Sequence, residues 1–209
     1  MKAAPLKFSW LKSLFAASIL CFALPLSAAD LLAEVRARLV PAPVTQGEFS
    51  QTRHLVQIKK PLVSTGRFLV VRDAGVIWEN IAPIAQTMRL TKNEILQTND
   101  GGAVVRLSAD KEPVVGIINS ILFGVLAGEF ETLAQSFSYD GKMENGRWRL
   151  DFTPRDANLA RLIETLSLTG THDIEQVEIR NAAGDVTRIE FRAQTHAGEV
   201  SAEVRKRFE

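Results

Sequence analysis

The sequence predicts an α+β fold in a single domain: one large antiparallel sheet, a helix at its start and an apolar helix across its middle. Three observations carry this. Short runs of alternating apolar and polar residues recur at meander spacing, with turn residues between them. No strand–helix–strand alternation occurs of the kind that builds a parallel sheet. The stretch "PVVGIINSILFGVLAG" (113–128) holds no charged side chain, which makes it too apolar for an ordinary surface helix and too short for a comfortable membrane span.

The first 29 residues stand apart. Lys2, Lys7 and Lys12 form a basic start, "LFAASILCFALPL" an apolar centre, and Ser27-Ala28-Ala29 a small-residue cleavage pattern. We expect residues 1–29 to be a secretory signal peptide and residues 30–209 the exported domain, with Asp30 first. An uncleaved anchor is the competing reading; the shortness of the run and Pro25 near its end oppose it. Cys21 is the only cysteine, so the exported domain would rely on its core without disulfides. The chain has 25 Lys and Arg against 24 Asp and Glu; without the three leader lysines the balance is 22 against 24, a net −2. Such a balance gives no broad basic surface for nucleic acid.

From Asp30 to Val40, Leu31, Val35 and Leu39 recur every four residues and predict a helix capped by Asp30 and stopped by "PAP" at 41–43. Strands are expected over 47–58, 64–71, 75–80, 85–91 and 94–98. The "NDGG" at 99–102 signals a tight hairpin into "AVVRLS". Residues 113–135 then read as helical. Pro113 suits the first turn, and Val114, Ile117, Ile118, Ile121, Leu122 and Val125 share a face. Gly128 ends this helix, and "EFETLAQ" adds a more polar turn or two. "SFSYDGKMENGRWRLDFTP" (136–154) reads as hairpin strands with turns at Asp140-Gly141 and Asn145-Gly146. There Trp148, Leu150 and Phe152 alternate with Arg147, Arg149 and Asp151 to give one dry and one wet face. Residues 155–164 form a short helix or bend, 174–196 a strand pair around Ala183-Gly184-Asp185, and 198–209 a last strand.

Signs of catalysis are missing from the sequence. His54, His172 and His196 fall in no metal-binding spacing, and no nucleophile elbow or phosphate-binding glycine loop occurs. We therefore expect no enzyme, no catalytic residue, no metal and no cofactor. Bulky apolar residues on expected inward faces stand out instead: Phe49, Phe68, Trp78, Trp148, Phe152 and Phe191. With Val76, Leu90, Ile118 and Leu122 they are the candidate wall of an apolar cavity between a curved sheet and a covering helix, suited to a lipid or acyl chain. The alternative is a fixed core helix over an ordinary core.

The ordered segments "GEFSQT" (47–52), "PLVSTGRF" (61–68), "VVRDAGVIWEN" (70–80) and "GDVTRIEF" (184–191) resemble the LolA family, periplasmic carriers of lipoproteins from the inner to the outer membrane. The resemblance implies an open half-barrel sheet closed by a helical lid. It also implies a family role for Phe49 and Gln51, and a lid latch at Arg72, six residues before Trp78. Asp73 stands where the family has Pro and Val76 where it has Phe, which points to a divergent branch. The partners implied are acylated lipoproteins or other lipid cargo, an inner-membrane transporter and an outer-membrane acceptor, with the chain acting as a monomer. Two alternatives stay open: a carrier of another lipid or a polyene pigment serving an inner-membrane exporter, and a scaffold or envelope-stress sensor on the same fold.

Overall fold

A computed structural model describes residues 28–99, 102, 104–108, 111, 121–126 and 128–208. The expected signal peptide, apart from Ala28 and Ala29, and the 113–120 half of the apolar segment, Ile118 included, lie outside the described residues.

Eleven strands form one antiparallel sheet: β1 (Val44–His54), β2 (Leu62–Val71), β3 (Gly75–Ala82), β4 (Gln86–Leu90), β5 (Glu94–Asn99), β6 (Val104–Ser108), β7 (Phe137–Glu144), β8 (Arg147–Pro154), β9 (Thr165–Gly170), β10 (Ile174–Arg180) and β11 (Val186–Ala197). Their spatial order is β6-β5-β4-β3-β2-β1-β11-β10-β9-β8-β7. Two meanders, β1 to β6 and β7 to β11, thus meet where β1 pairs with β11, Phe49 opposite Phe191. This is the α+β open curved sheet that the sequence predicts.

That order forces a crossover. After β6 the chain stands at one edge of the sheet, and β7 is the opposite edge. The described part of the connection packs on the inner face, where its apolar side chains are dry. Its described helices are α2 (residues 121–126) and α3 (Phe130–Ser136). Gly128, at φ 68°, ends α2, and its N–H donates to Val125 O at 3.3 Å. A side chain there would meet Leu39 Cδ1 at 2.9 Å, so glycine also lets the turn close onto α1 (Ala28–Arg38).

Period-two alternation sets the two faces. Phe49, Phe68, Val70, Val76, Trp78 and Leu90 are buried on the inner face, as are Trp148, Leu150, Phe152, Leu166, Leu168 and Phe191 on the other meander. On the outer face a small second cluster forms from Val44, Leu69, Val71 and Ile77.

Four expectations need correction. Residues 198–209 are not a strand: α5 (Ala202–Lys206) is a helix whose Ser201 Oγ accepts from Val204 N–H at 3.2 Å. Val200, Val204 and Phe208 recur every four residues and cover the outer cluster, so helical period and the helix-forming Ala, Glu, Arg and Lys decide the element. Asp140-Gly141 is not a turn but lies inside β7, with Gly141 opposite Leu150. Glycine is needed there because a Cβ would stand 2.2 Å from Arg149 O and 3.0 Å from Leu31 Cδ2 of α1. The turn is at Asn145-Gly146 alone, φ 52° and 78°, the positive pair of a two-residue hairpin. Strand β9, which the sequence reading left without an element, pairs with both β8 and β10. Finally, α1 begins at Ala28, so Asp30 lies in its first turn rather than capping it; alanines are the strongest helix formers.

α4 (Ala157–Ala160) is the short helix expected within 155–164, capped by Asp156, which accepts from Asn158 N–H at 2.8 Å and Leu159 N–H at 3.2 Å.

Candidate functional site: an apolar pocket under α2

The inner face divides into two regions. Toward β7 and β8, α1 and α3 close down on the sheet. Phe130, Phe137, Trp148, Leu150 and Phe152 are each 0 % exposed there. Phe130 meets the edge of Trp148 at 6.2 Å and Phe137 that of Phe152 at 6.3 Å. Trp148 Nε1 donates to Thr171 O at 2.8 Å, so its one polar atom is satisfied within the fold. Nothing about this region is open.

Toward β3, β4 and β9 to β11, α2 covers a pocket of about 120 Å³. Val76, Trp78, Met88 and Leu90 form one wall; Leu166, Val177, Ile179, Ile189 and Phe191 form the other; Ile121, Leu122, Val125 and Leu126 are the roof. Gln51 is the one polar side chain in the lining, and none is charged. Strand alternation places each wall residue, since every one sits at an inward position of its strand.

An aromatic group backs the pocket. Phe49 stacks on Trp78 with ring centres 3.8 Å apart, and Phe191 meets Trp78 edge-on at 6.1 Å and Phe68 at 5.0 Å. Two glycines allow this crowding. Gly47 faces Phe68 across β1 and β2, and Gly66 faces Phe49. A Cβ on Gly47 would stand 2.9 Å from the Phe68 ring, and one on Gly66 2.8 Å from the Phe49 ring. Each ring lies in the space of its partner's missing side chain.

Of the residues the sequence singled out, Val76, Trp78, Leu90, Leu122 and Phe191 meet at the pocket. Phe49 and Phe68 stand behind them in the aromatic group. Trp148 and Phe152 are apart, in the closed region. Arg72 is exposed in the β2–β3 turn, held there by its own N–H donating to Pro43 O at 3.0 Å. Its side chain forms no ion pair with a described residue. Sequence reasoning missed Met88, Leu166, Val177, Ile179 and Ile189 as lining. Their alternation was readable, but which of two dry regions each strand would face was not.

A larger hollow of about 360 Å³ lies on the outer face, walled by Glu48, Arg67, Glu79 and Arg207 among others. It is open and charged, so an apolar ligand would gain little there. On that face too, Asp151 accepts from Ser167 Oγ at 2.5 Å and from Arg149 Nε at 2.8 Å and NH2 at 2.7 Å. Partial burial works to raise its carboxyl, but the Arg149 and Ser167 bonds outweigh it and hold the group below the ordinary aspartate value. That is a structural ion pair on a strand surface. Among the described residues no three His, Cys, Asp or Glu side chains are grouped to hold a metal ion. No described helix is long and apolar enough to cross a membrane.

An open antiparallel sheet with an uncharged pocket under a crossover helix defines the class: a fold built around an apolar cavity. The chain belongs to the family described as outer membrane lipoprotein carrier protein LolA-like, whose profile matches residues 26–207. Members of that family are periplasmic carrier or binding proteins rather than enzymes. Among solved structures, a LolA superfamily protein of Nitrosomonas europaea is 10% identical, with TM-score 0.46, covering 87% of this chain and 97% of its own. A putative outer membrane lipoprotein-sorting protein domain of Vibrio parahaemolyticus is 12% identical, with TM-score 0.45, covering 85% and 96%. MucB of Pseudomonas aeruginosa, in complex with MucA, is 16% identical, with TM-score 0.46, covering 85% of this chain and 60% of that one. No curated protein matches the sequence.

Proposed function

We propose that this chain is a periplasmic carrier that takes up the acyl chains of lipoproteins beneath α2 and moves them from the inner to the outer membrane. It would follow removal of residues 1–29 as a signal peptide and work with an inner-membrane transporter and an outer-membrane acceptor. The observation that carries the reading is the pocket: uncharged, roofed by α2, and set in a fold whose family carries such cargo.

The size of the pocket makes the mechanism specific. About 120 Å³ is well below the roughly 300 Å³ where ligand pockets begin. An acyl chain therefore enters only if α2 moves away. Each methylene then buried is worth about 0.8 kcal/mol, part of which is offset by the contacts α2 gives up. Closure of α2 over the empty sheet restores those contacts and drives release, since a ligand can shift the two states only by its differential affinity. The latch role of Arg72 belongs to the same proposal.

The test is binding of a palmitoylated peptide by the exported protein, with a photo-reactive residue in place of Leu122. Cross-linking to the acyl chain is expected. No cross-link, together with no binding by calorimetry, would overturn the carrier reading. Slower release from Arg72→Leu supports the latch, and unchanged release removes it. The smallness of the pocket also favours a second reading, a static scaffold in which α2 never opens. Protein that stays empty with every lipid offered, and whose α2 amides exchange only with global unfolding, would establish that instead.

A further inference from the structure

Large apolar side chains left in water gather at one end of the sheet. The β1–β2 loop and its flanks expose Val56, Ile58, Leu62 and Val63, and the β3–β4 connection beside it exposes Ile81 and Ile84; Val56 is 70% and Ile84 72% exposed. Pairing puts them at the same end, since Arg53 faces Leu62 and Thr65 faces Ala82. Val104 and Leu162, also exposed, start or precede strands at this end. The other end, with Arg72, Asp73, Lys92 and His172 in its turns, exposes only Val40 of this kind among the described residues. Single exposed hydrophobics are ordinary; a set of this size at one rim marks a contact surface.

Charge indicates what it contacts. Arg53, Lys59, Lys60, Arg155, Arg161 and Arg180 are exposed at the same end, and none is ion-paired with a described residue. On the sheet's outer face several arginines are paired, Arg149 with Asp151, Arg188 with Glu178 and Arg192 with Glu190, though Arg67 there is not paired with a described residue. Two of the acids at this rim are engaged by backbone, Asp156 capping α4 and Asp185 accepting from Val56 N–H at 2.9 Å, and with the exposed Glu164 they leave the six cations in excess among the described residues. Free cations around exposed aliphatic side chains are complementary to a surface of anionic headgroups over hydrocarbon.

We propose that this end of the sheet docks on an anionic lipid bilayer, with Val56, Ile58 and Ile84 among the headgroups and the free cations against lipid phosphates. Leu166 and Ile179 of the pocket lie one residue from strand ends on this rim, so docking sets the pocket beside the membrane. The docking does not depend on the pocket's cargo and would hold if the carrier reading failed.

The test is co-sedimentation of the exported protein with protein-free vesicles of phosphatidylglycerol and phosphatidylethanolamine, against vesicles of phosphatidylcholine, over a salt series. Binding to the anionic vesicles is expected, weakening with salt. Each lost cation should cost about five-fold in affinity, the equivalent of about 1 kcal/mol. Lys59→Gln with Lys60→Gln, and separately Val56→Ser with Ile84→Ser, should release the protein at unchanged melting temperature, because all four side chains are exposed. Leu122→Ala should leave vesicle binding intact, which separates this contact from the pocket. Absence of binding, equal binding by the substituted proteins, or equal binding to phosphatidylcholine at high salt would overturn the proposal. Binding only to membranes that carry proteins would assign the rim to a protein partner and overturn it equally.

Discussion

Trp78 and Trp148 sit at equivalent inward positions of alternating strands, and their environments differ. Trp148 is 0 % exposed, with its indole N–H bonded to Thr171 O; Trp78 lies in the pocket wall, stacked on Phe49. A palmitoylated peptide entering under α2 should therefore shift the emission of Trp78 and not that of Trp148. Trp148→Phe should retain the shift and Trp78→Phe should lose it; the reverse result in steady-state fluorescence would place cargo elsewhere. Alternation was enough to put both residues indoors. It could not say which one faces space, because that depends on which helix lies above.

At the scale of elements, local period and tertiary space disagreed in instructive places. Helix α5 was legible in the four-residue spacing of Val200, Val204 and Phe208 and in its Ala, Glu, Arg and Lys, yet the segment was expected as a strand. Gly141 looked like a turn residue, and it is first the Arg149 carbonyl of the neighbouring β8, and then Leu31 of α1, that makes it a glycine. One connection depends on a single carboxylate. Asp185, in the β10–β11 turn, accepts from Val56 N–H and from the Asn181 amide at 3.1 Å. Its carboxyl is held below the ordinary aspartate value, first by the Val56 backbone bond and then by Asn181. A depressed value means stabilisation that is complete above the unfolded-chain value, about 3.9, and lost as pH falls through the folded one. Exchange protection of the Val56 amide should thus hold at neutral pH and fall only in acid below about pH 4. Asp185→Asn should remove that acid step. A protection loss centred near neutrality would refute the assignment.

For the whole molecule, the crossover decides the division of labour. The described helices between β6 and β7 lie over both regions of the inner face, α3 as closed core and α2 as pocket roof. Phe130→Ala, at 0 % exposure, should cost about 3–5 kcal/mol of stability and leave lipopeptide binding per folded molecule unchanged. Leu122→Ala, on the half-buried roof, should cost less than the 2–5 kcal/mol of a fully buried leucine and change the lipopeptide off-rate. Denaturant melts and stopped-flow release on the two variants check this together. Equal stability losses with equal off-rates would mean that α2 is core like α3.

The amino-acid sequence by itself determined the α+β class, most strands, the hairpin at Asn145-Gly146, the helix stop at Gly128 and an uncharged segment in need of a dry face. All of these rest on local chemistry: period, turn geometry and side-chain polarity within a few residues. Tertiary structure alone decided that β1 pairs with β11, that α2 and α3 lie on the inner face, and that Trp78 borders space while Trp148 does not. It also decided that the apolar and cationic side chains of separate loops share one rim. Those facts join residues far apart in the chain, and their positions follow from strand order, which no local pattern encodes.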